Sequence, residues 1–65
     1  MKKERILVVF RNGKEYDFLV DSYMNTQEKI LKHDWVDFYT EIDKNPMWIN
    51  TKEIAMFKNL GLWQH

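Results

Sequence analysis

The dipeptide Asn12-Gly13, which lies between two runs of strand-forming residues, is the feature that most constrains the fold. The runs cover residues 5–11 and 14–21. Asn-Gly favours a two-residue type I′ turn, because both central residues of that turn need positive φ and these two residue types tolerate it. The sequence therefore predicts a β-hairpin at the start of the chain.

Two registers of this hairpin are open. The two-residue turn forms three cross-strand pairs: Arg11 with Lys14, Val9 with Tyr16 and Leu7 with Phe18. A three-residue loop with a bulge forms three different pairs: Ile6 with Val20, Val8 with Phe18 and Phe10 with Tyr16. Because a shift of one residue turns a whole strand over, the register decides which face is core.

The first strand is apolar on both sides from residue 6 to residue 10. This pattern is typical of a strand that is covered on both faces. We therefore expect a central strand, or one whose second face meets a partner. Since one helix does not easily cover both faces of a sheet, association or barrel closure is favoured, and a homodimer is the commonest form of association.

A change of period after residue 21 indicates a helix. The tetrapeptide at 25–28, Asn-Thr-Gln-Glu, has the form of a capping box, and Ile30 and Leu31 follow on one helical face. We predict a helix that begins at Ser22 or Thr26 and ends near His33. It is too short to be stable alone and must lie on the sheet.

The second half of the chain returns to strand patterns. Residues 35–42 alternate, with Trp35, Asp37 and Tyr39 on one side of the predicted strand. A turn at 43–46 leads to a fourth strand that begins at 47–49. The polar residues 50–53 bulge or break this strand before it resumes at 54–57, and a helical turn over 51–57 is the competing prediction.

The predicted order is ββαββ in a single domain, residues 1–65. The predicted class is α+β, with a small antiparallel sheet or half-open barrel and one helix packed on it. Leu60, Leu62 and Trp63 then either cover the sheet edge or contact a partner.

The charge pattern and composition argue against several classes of function. Ten basic and ten acidic residues are interspersed, so no basic stripe favours nucleic acid. The chain has no Cys and two His, which predicts no metal site, no cofactor and no enzymatic activity. The absence of Cys and of a long apolar segment predicts a cytoplasmic protein without a membrane span.

The aromatic residues either fill the core or form an exposed surface that binds a partner. Three Trp, three Tyr and four Phe are more rings than so short a chain buries easily. We predict a non-enzymatic module that binds another protein, and the predicted contact residues are Phe10, Arg11, Tyr39, Trp48 and Trp63. The alternative is a small-ligand or nucleotide-binding protein whose pocket forms between subunits.

Two segments carry a resemblance. The run from Phe10 to Tyr16 contains the Asn-Gly-Lys turn, and the run from Trp48 to Ile54 contains Ile-Asn followed later by Ile. Together they resemble short, uncharacterised open reading frames of AT-rich Gram-positive bacteria and their phages. The resemblance implies a small β-rich accessory protein, and a phage origin would favour a host-modulating or counter-defence protein. It implies no site residue.

Overall fold

The structure is a computed structural model that describes residues 3–38 and 46–63. Its elements, in chain order, are β1 (Glu4–Phe10), β2 (Glu15–Val20), α1 (Tyr23–Lys32), β3 (Trp35–Phe38), β4 (Met47–Asn50), a 3-10 turn (Thr51–Glu53) and β5 (Ile54–Leu62). The fold is therefore α+β, as predicted. The order ββαββ is wrong, because the chain forms a fifth strand after the 3-10 turn.

The strands form two antiparallel sheets, whereas the prediction placed them in one sheet or a half-open barrel. The three-stranded sheet has the order β2-β1-β5, and β3 pairs with β4 in a two-stranded sheet. The predicted central position of β1 is confirmed. On one face of β1, Ile6 and Val8 are fully buried, while Leu7 and Val9 on the opposite face are partly exposed.

The β1–β2 turn is a three-residue loop. The Gly13 amide donates to the Phe10 carbonyl oxygen at 2.9 Å, and the Phe10 amide donates to the Lys14 carbonyl oxygen at 2.8 Å. Gly13 has φ of +89°, and no residue other than glycine has positive φ in the described part of the chain. The type I′ turn is therefore wrong, because it needs positive φ at Asn12 as well. The geometry is that of a turn closed by a glycine bulge.

Both predicted registers of this hairpin are wrong. Ile6 lies opposite Phe18 and Val8 lies opposite Tyr16. The observed register differs by one residue from that of the two-residue turn and by two residues from that of the bulged loop. The register of the bulged loop nevertheless placed the correct side chains on the core face. Side chains alternate with a period of two, so a shift of two residues keeps each side chain on the same face of the sheet.

The helix α1 begins directly after Ser22. The Ser22 hydroxyl oxygen accepts a hydrogen bond from the Asn25 amide at 3.3 Å, and the Thr26 hydroxyl donates to the Ser22 carbonyl oxygen at 3.0 Å. Of the two predicted starts, Ser22 is confirmed. The capping box at Asn25 is wrong, because Asn25 already lies in the first helical turn. The Glu4 carboxylate accepts from the Tyr23 amide at 2.7 Å and ties the start of the helix to β1.

The 3-10 turn separates β4 from β5. The Asn50 side-chain oxygen accepts from the Lys52 amide at 2.9 Å, and the Thr51 amide donates to the Asp34 carbonyl oxygen at 2.8 Å. The predicted break at residues 50–53 is thus confirmed, and the competing helix over 51–57 is wrong beyond residue 53. The side chain of Asn50 stabilises a local turn at the expense of a continuous strand.

One hydrophobic core lies between the two sheets and the helix. Its members come from β1, β2, α1, β3, β4 and β5, and they are Ile6, Val8, Phe18, Val20, Ile30, Val36, Phe38, Ile49 and Ile54. The rings of Phe18 and Phe38 stack with centroids 4.5 Å apart and join the two sheets. Within the described residues, no helix is long and apolar enough to span a bilayer.

Replacing Phe38 with alanine should lower the free energy of unfolding by about 3–5 kcal/mol, because the change removes a fully buried ring and leaves a cavity. Urea denaturation followed by circular dichroism measures this. Leu31→Ala is the matched control, since Leu31 is exposed on α1, and its effect should stay within about 0.5 kcal/mol. Equal effects of the two changes would contradict the described core.

Replacing Ser22 with alanine should destabilise the protein by about 1 kcal/mol, because the helix loses its N-cap acceptor. Asn25→Ala tests whether the helix is capped by Ser22, as observed, or by Asn25, as the predicted capping box implies. Asn25 contributes only its backbone amide to the cap, so its replacement should leave thermal stability unchanged or slightly raised. A larger loss at Asn25 than at Ser22 would show that the helix begins later.

Candidate functional site

The outward face of the β3–β4 hairpin presents aromatic side chains to solvent. In β3, Val36 and Phe38 are buried in the core, so the alternation of the strand directs Trp35 and Asp37 to the opposite side. Asp37 lies opposite Trp48 in β4. Trp48 therefore lies on the same face of the hairpin as Trp35 and Asp37. We call Trp35, Asp37 and Trp48 the Trp platform.

The two indole rings of the Trp platform are largely exposed. Trp35 is 55% exposed and Trp48 is 61% exposed, whereas Phe38, on the inner side of the same hairpin, is 0% exposed. Trp35 pairs with Asn50, so the two Trp residues are diagonal neighbours, roughly 7–8 Å apart by the usual geometry of a strand pair. Neither ring contributes to the core, and both are available to be buried by a partner.

A carboxylate lies between the two rings. The Asp37 side chain is 27% exposed, and its Oδ1 lies 3.8 Å from Nζ of Lys29 on α1. An ion pair this long between exposed groups contributes little to stability. The Asp37 carboxylate therefore keeps the capacity to accept hydrogen bonds from a cation on a partner.

The exposed side of α1 carries a second apolar region. Met24 and Leu31 are both largely exposed, and with Gln27 and Glu28 they line a shallow hollow on the helix. These four residues share one helical face because they are spaced by three and four positions. The hollow is open and offers no enclosed polar group to orient a small ligand.

Residues 3–38 and 46–63 contain no group of three or more His, Cys, Asp or Glu that could hold a metal ion. They also contain no buried side-chain nitrogen or oxygen without a hydrogen-bond partner.

The predicted contact residues are not all in one place. Phe10 is partly buried against the core, with its ring 5.6 Å from that of Tyr16. Arg11 is exposed, and its Nε donates to the Lys52 carbonyl oxygen. Trp63 is partly buried, and its amide donates to the Lys3 carbonyl oxygen at 2.9 Å. Of the five predicted residues, Trp48 belongs to the Trp platform, and Tyr39 lies outside the described residues.

Several exposed apolar residues are absent from the predicted contact set, and Trp35, Met24 and Leu31 are the ones that form the two regions described above. Trp35 shares its predicted strand face with Asp37, but its exposure depends on where α1 and the other sheet pack. Met24 and Leu31 are seven residues apart, and this spacing places them on one helical side. For both regions the periodicity of the sequence predicts which residues share a face. Periodicity does not tell whether that face is exposed or buried.

No protein-family model, no curated protein and no solved structure matches this chain. Any function assigned to the chain therefore rests on the geometry of its described residues.

Replacing Trp48 with alanine should change the free energy of unfolding by less than about 1 kcal/mol, because the ring lies outside the core and is largely exposed. Thermal unfolding followed by circular dichroism measures this against Phe38→Ala on the buried side of the same hairpin. If Trp48→Ala destabilised the protein as strongly as Phe38→Ala, Trp48 would have a structural role and the Trp platform would not be a free surface.

Proposed function

We propose that this protein is a non-enzymatic interaction module that binds another protein through the Trp platform. The observation that carries the proposal is the exposure of Trp35 and Trp48, at 55% and 61%, on one face of the β3–β4 hairpin. Burial of an exposed Trp ring by a partner stabilises the complex, because apolar surface is removed from water. Trp is also among the residues that contribute most to the affinity of protein interfaces.

The chemistry of the Trp platform indicates what the partner presents. Two indole rings favour apolar or aromatic side chains, and they also attract a cation placed over a ring face. The Asp37 carboxylate between them would pair with a Lys or Arg of the partner in competition with Lys29. We therefore propose a partner surface that combines apolar side chains with at least one basic residue.

The second candidate is a protein that binds a nucleotide or another small ligand between subunits. Exposed Trp rings also stack on bases, which supports this alternative. A nucleotide additionally requires cations to hold its phosphates. The charged residue between the rings is acidic, and the Arg11 guanidinium is engaged with the Lys52 carbonyl oxygen at the 3-10 turn. A protein partner therefore fits the described surface better.

The sequence supports a biological setting for this module. The resemblance to short reading frames of Gram-positive bacteria and their phages supports a host-modulating or counter-defence protein encoded by a phage. The lack of Cys supports a cytoplasmic location, where disulfides are rare. A chain of this size acts most simply by covering a surface of another protein. We also propose that the protein acts as a homo-oligomer, because β1 is apolar on both faces.

The experiment begins with the tagged protein as bait in an extract of its source cells, followed by purification of the captured protein. Isothermal titration calorimetry then compares the wild-type chain with Trp35→Ala and Trp48→Ala. Each change should weaken binding at least tenfold, which corresponds to about 1.4 kcal/mol or more, because it removes an aromatic anchor. Titrations with ATP and with a single-stranded oligonucleotide should show no binding.

The matched control is Leu31→Ala, which removes an exposed apolar side chain from α1, outside the Trp platform. It should leave the affinity within about threefold of wild type, because Leu31 lies outside the proposed interface and only residues in that interface contribute to binding. Equal binding by wild type and both Trp variants would refute the proposal. Binding of ATP that is lost in the Trp variants would favour the second candidate.

A further inference from the structure

The two indole rings of the Trp platform leave a gap between them. Trp35 and Trp48 are diagonal neighbours in the register of β3 with β4, and side chains in such positions start roughly 7–8 Å apart. Neither indole forms a ring contact within residues 3–38 and 46–63. Because both rings are also largely exposed, the gap is accessible to a group from another molecule.

The width of this gap suits a flat group. Two rings that both contact a planar group between them lie about 7 Å apart, which is twice the usual contact distance of about 3.5 Å between carbon atoms. The guanidinium group of arginine is planar and stacks on aromatic faces, whereas the ammonium group of lysine is a compact and strongly hydrated charge. The spacing of the two indoles therefore favours arginine over lysine.

A carboxylate borders the gap on the same face. Asp37 lies directly opposite Trp48 and two residues after Trp35, so the alternation of the strands places its side chain beside both rings. An ionised carboxylate accepts two parallel hydrogen bonds from a guanidinium group, and this pairing is both strong and geometrically specific. The Trp platform thus offers an arginine side chain stacking and hydrogen bonding at the same time.

Lys29 leaves the acceptors of Asp37 open. Its Nζ lies 3.8 Å from Oδ1 of Asp37, which is beyond hydrogen-bond distance, and the Lys29 side chain is 54% exposed. Within the described residues, the Asp37 carboxylate has this ion pair and no hydrogen bond. Since a long, exposed ion pair is weak, a guanidinium group displaces this ammonium group at little cost. Lys29 is therefore a weak internal competitor for the carboxylate.

We propose that the Trp platform is a recognition site for an arginine side chain of the protein partner. The guanidinium group lies between the rings of Trp35 and Trp48 and donates two hydrogen bonds to the Asp37 carboxylate. Lys29 moves away from that carboxylate when the arginine enters. This inference deepens the proposed function and rests on it, because it specifies which basic residue the partner presents and how that residue is held.

The test is a titration of the isotope-labelled protein with N-acetyl-arginine amide at constant ionic strength, followed by the indole N–H signals in NMR spectra. The chain has three Trp, so three indole signals are expected, and Trp35→Phe and Trp48→Phe assign them. The signals of Trp35 and Trp48 should shift together with a dissociation constant in the millimolar range, which is typical of one side chain. The signal of Trp63, which follows β5, is the internal control and should not shift.

Two comparison probes separate the shape of arginine from its charge. N-acetyl-citrulline amide has nearly the shape of the arginine probe without its charge, and it should shift neither indole signal. N-acetyl-lysine amide has the charge without the planar group, and it should bind at least about threefold more weakly than the arginine probe. The inference is overturned if the arginine probe shifts neither signal up to about 50 mM, or if either comparison probe binds as well as arginine.

Variants of the charged residues test the role of the carboxylate. Asp37→Asn keeps the size of the side chain and removes its charge, so it should weaken binding of the arginine probe about fivefold or more. Lys29→Gln removes the competing cation and should strengthen binding about twofold. Glu53→Gln, which changes an exposed carboxylate in the 3-10 turn, is the matched control and should bind as wild type does. Wild-type affinity in Asp37→Asn, or weaker binding in Lys29→Gln, would contradict the inference.

Failure of this inference is distinguishable from failure of the proposed function. If a captured partner requires Trp35 and Trp48 but the arginine probe shifts neither indole signal, the arginine site alone is refuted. If the arginine probe binds between the indoles but the captured partner binds the Trp variants as it binds wild type, the protein-binding role of the Trp platform is refuted and the arginine site stands. Circular dichroism verifies that each variant is folded.

Discussion

The stacked pair of Phe18 and Phe38 is the contact on which the other packing depends. It joins β2 in the three-stranded sheet to β3 in the two-stranded sheet, with ring centroids 4.5 Å apart and planes inclined by 14°. A two-stranded hairpin is marginal in water by itself, and so is a ten-residue helix. Both become stable here because they complete a core that neither could form alone. The position of the Trp platform is a consequence of this contact, since burial of Phe38 turns Trp35 and Asp37 outward.

The same strand geometry explains why apolar surface remains. Successive side chains of a strand point to opposite faces, so a strand that is apolar throughout always presents half of its apolar residues away from the core. The single helix of the described chain lies on the core side of the three-stranded sheet. Leu7 and Val9 of β1 consequently lie outside the core and are partly exposed. In a domain of this size the core is small for the number of residues ordered, so any partner that covered these side chains would add to its stability.

The core residues and the residues that face away from the core alternate along the same strands. In β3 the buried positions hold the fold, and the alternate positions carry the exposed Trp35 and the carboxylate of Asp37. In β1 the buried Ile6 and Val8 likewise alternate with Leu7 and Val9, which lie on the opposite face of the three-stranded sheet. The two outward faces lie on opposite sides of one core, so a contact made on one does not obstruct the other.

Local patterns in the chain were enough to predict the α+β class, the central place of β1, the helix near Ser22 and the alternation of β3, because periodicity and caps involve only neighbouring residues. The register of the first hairpin could not be predicted in this way, because it depends on contacts between residues that are far apart in the sequence. A glycine bulge and a two-residue turn are both compatible with Asn12-Gly13, and pairing with β5 and burial of Phe18 select between them. The split into two sheets also arose from packing, because the 3-10 turn at Thr51–Glu53 separates β4 from β5 and β5 pairs with β1. The tertiary contacts also decide which aromatic side chains stay exposed. Periodicity predicts which residues share a face, but it does not predict what covers that face.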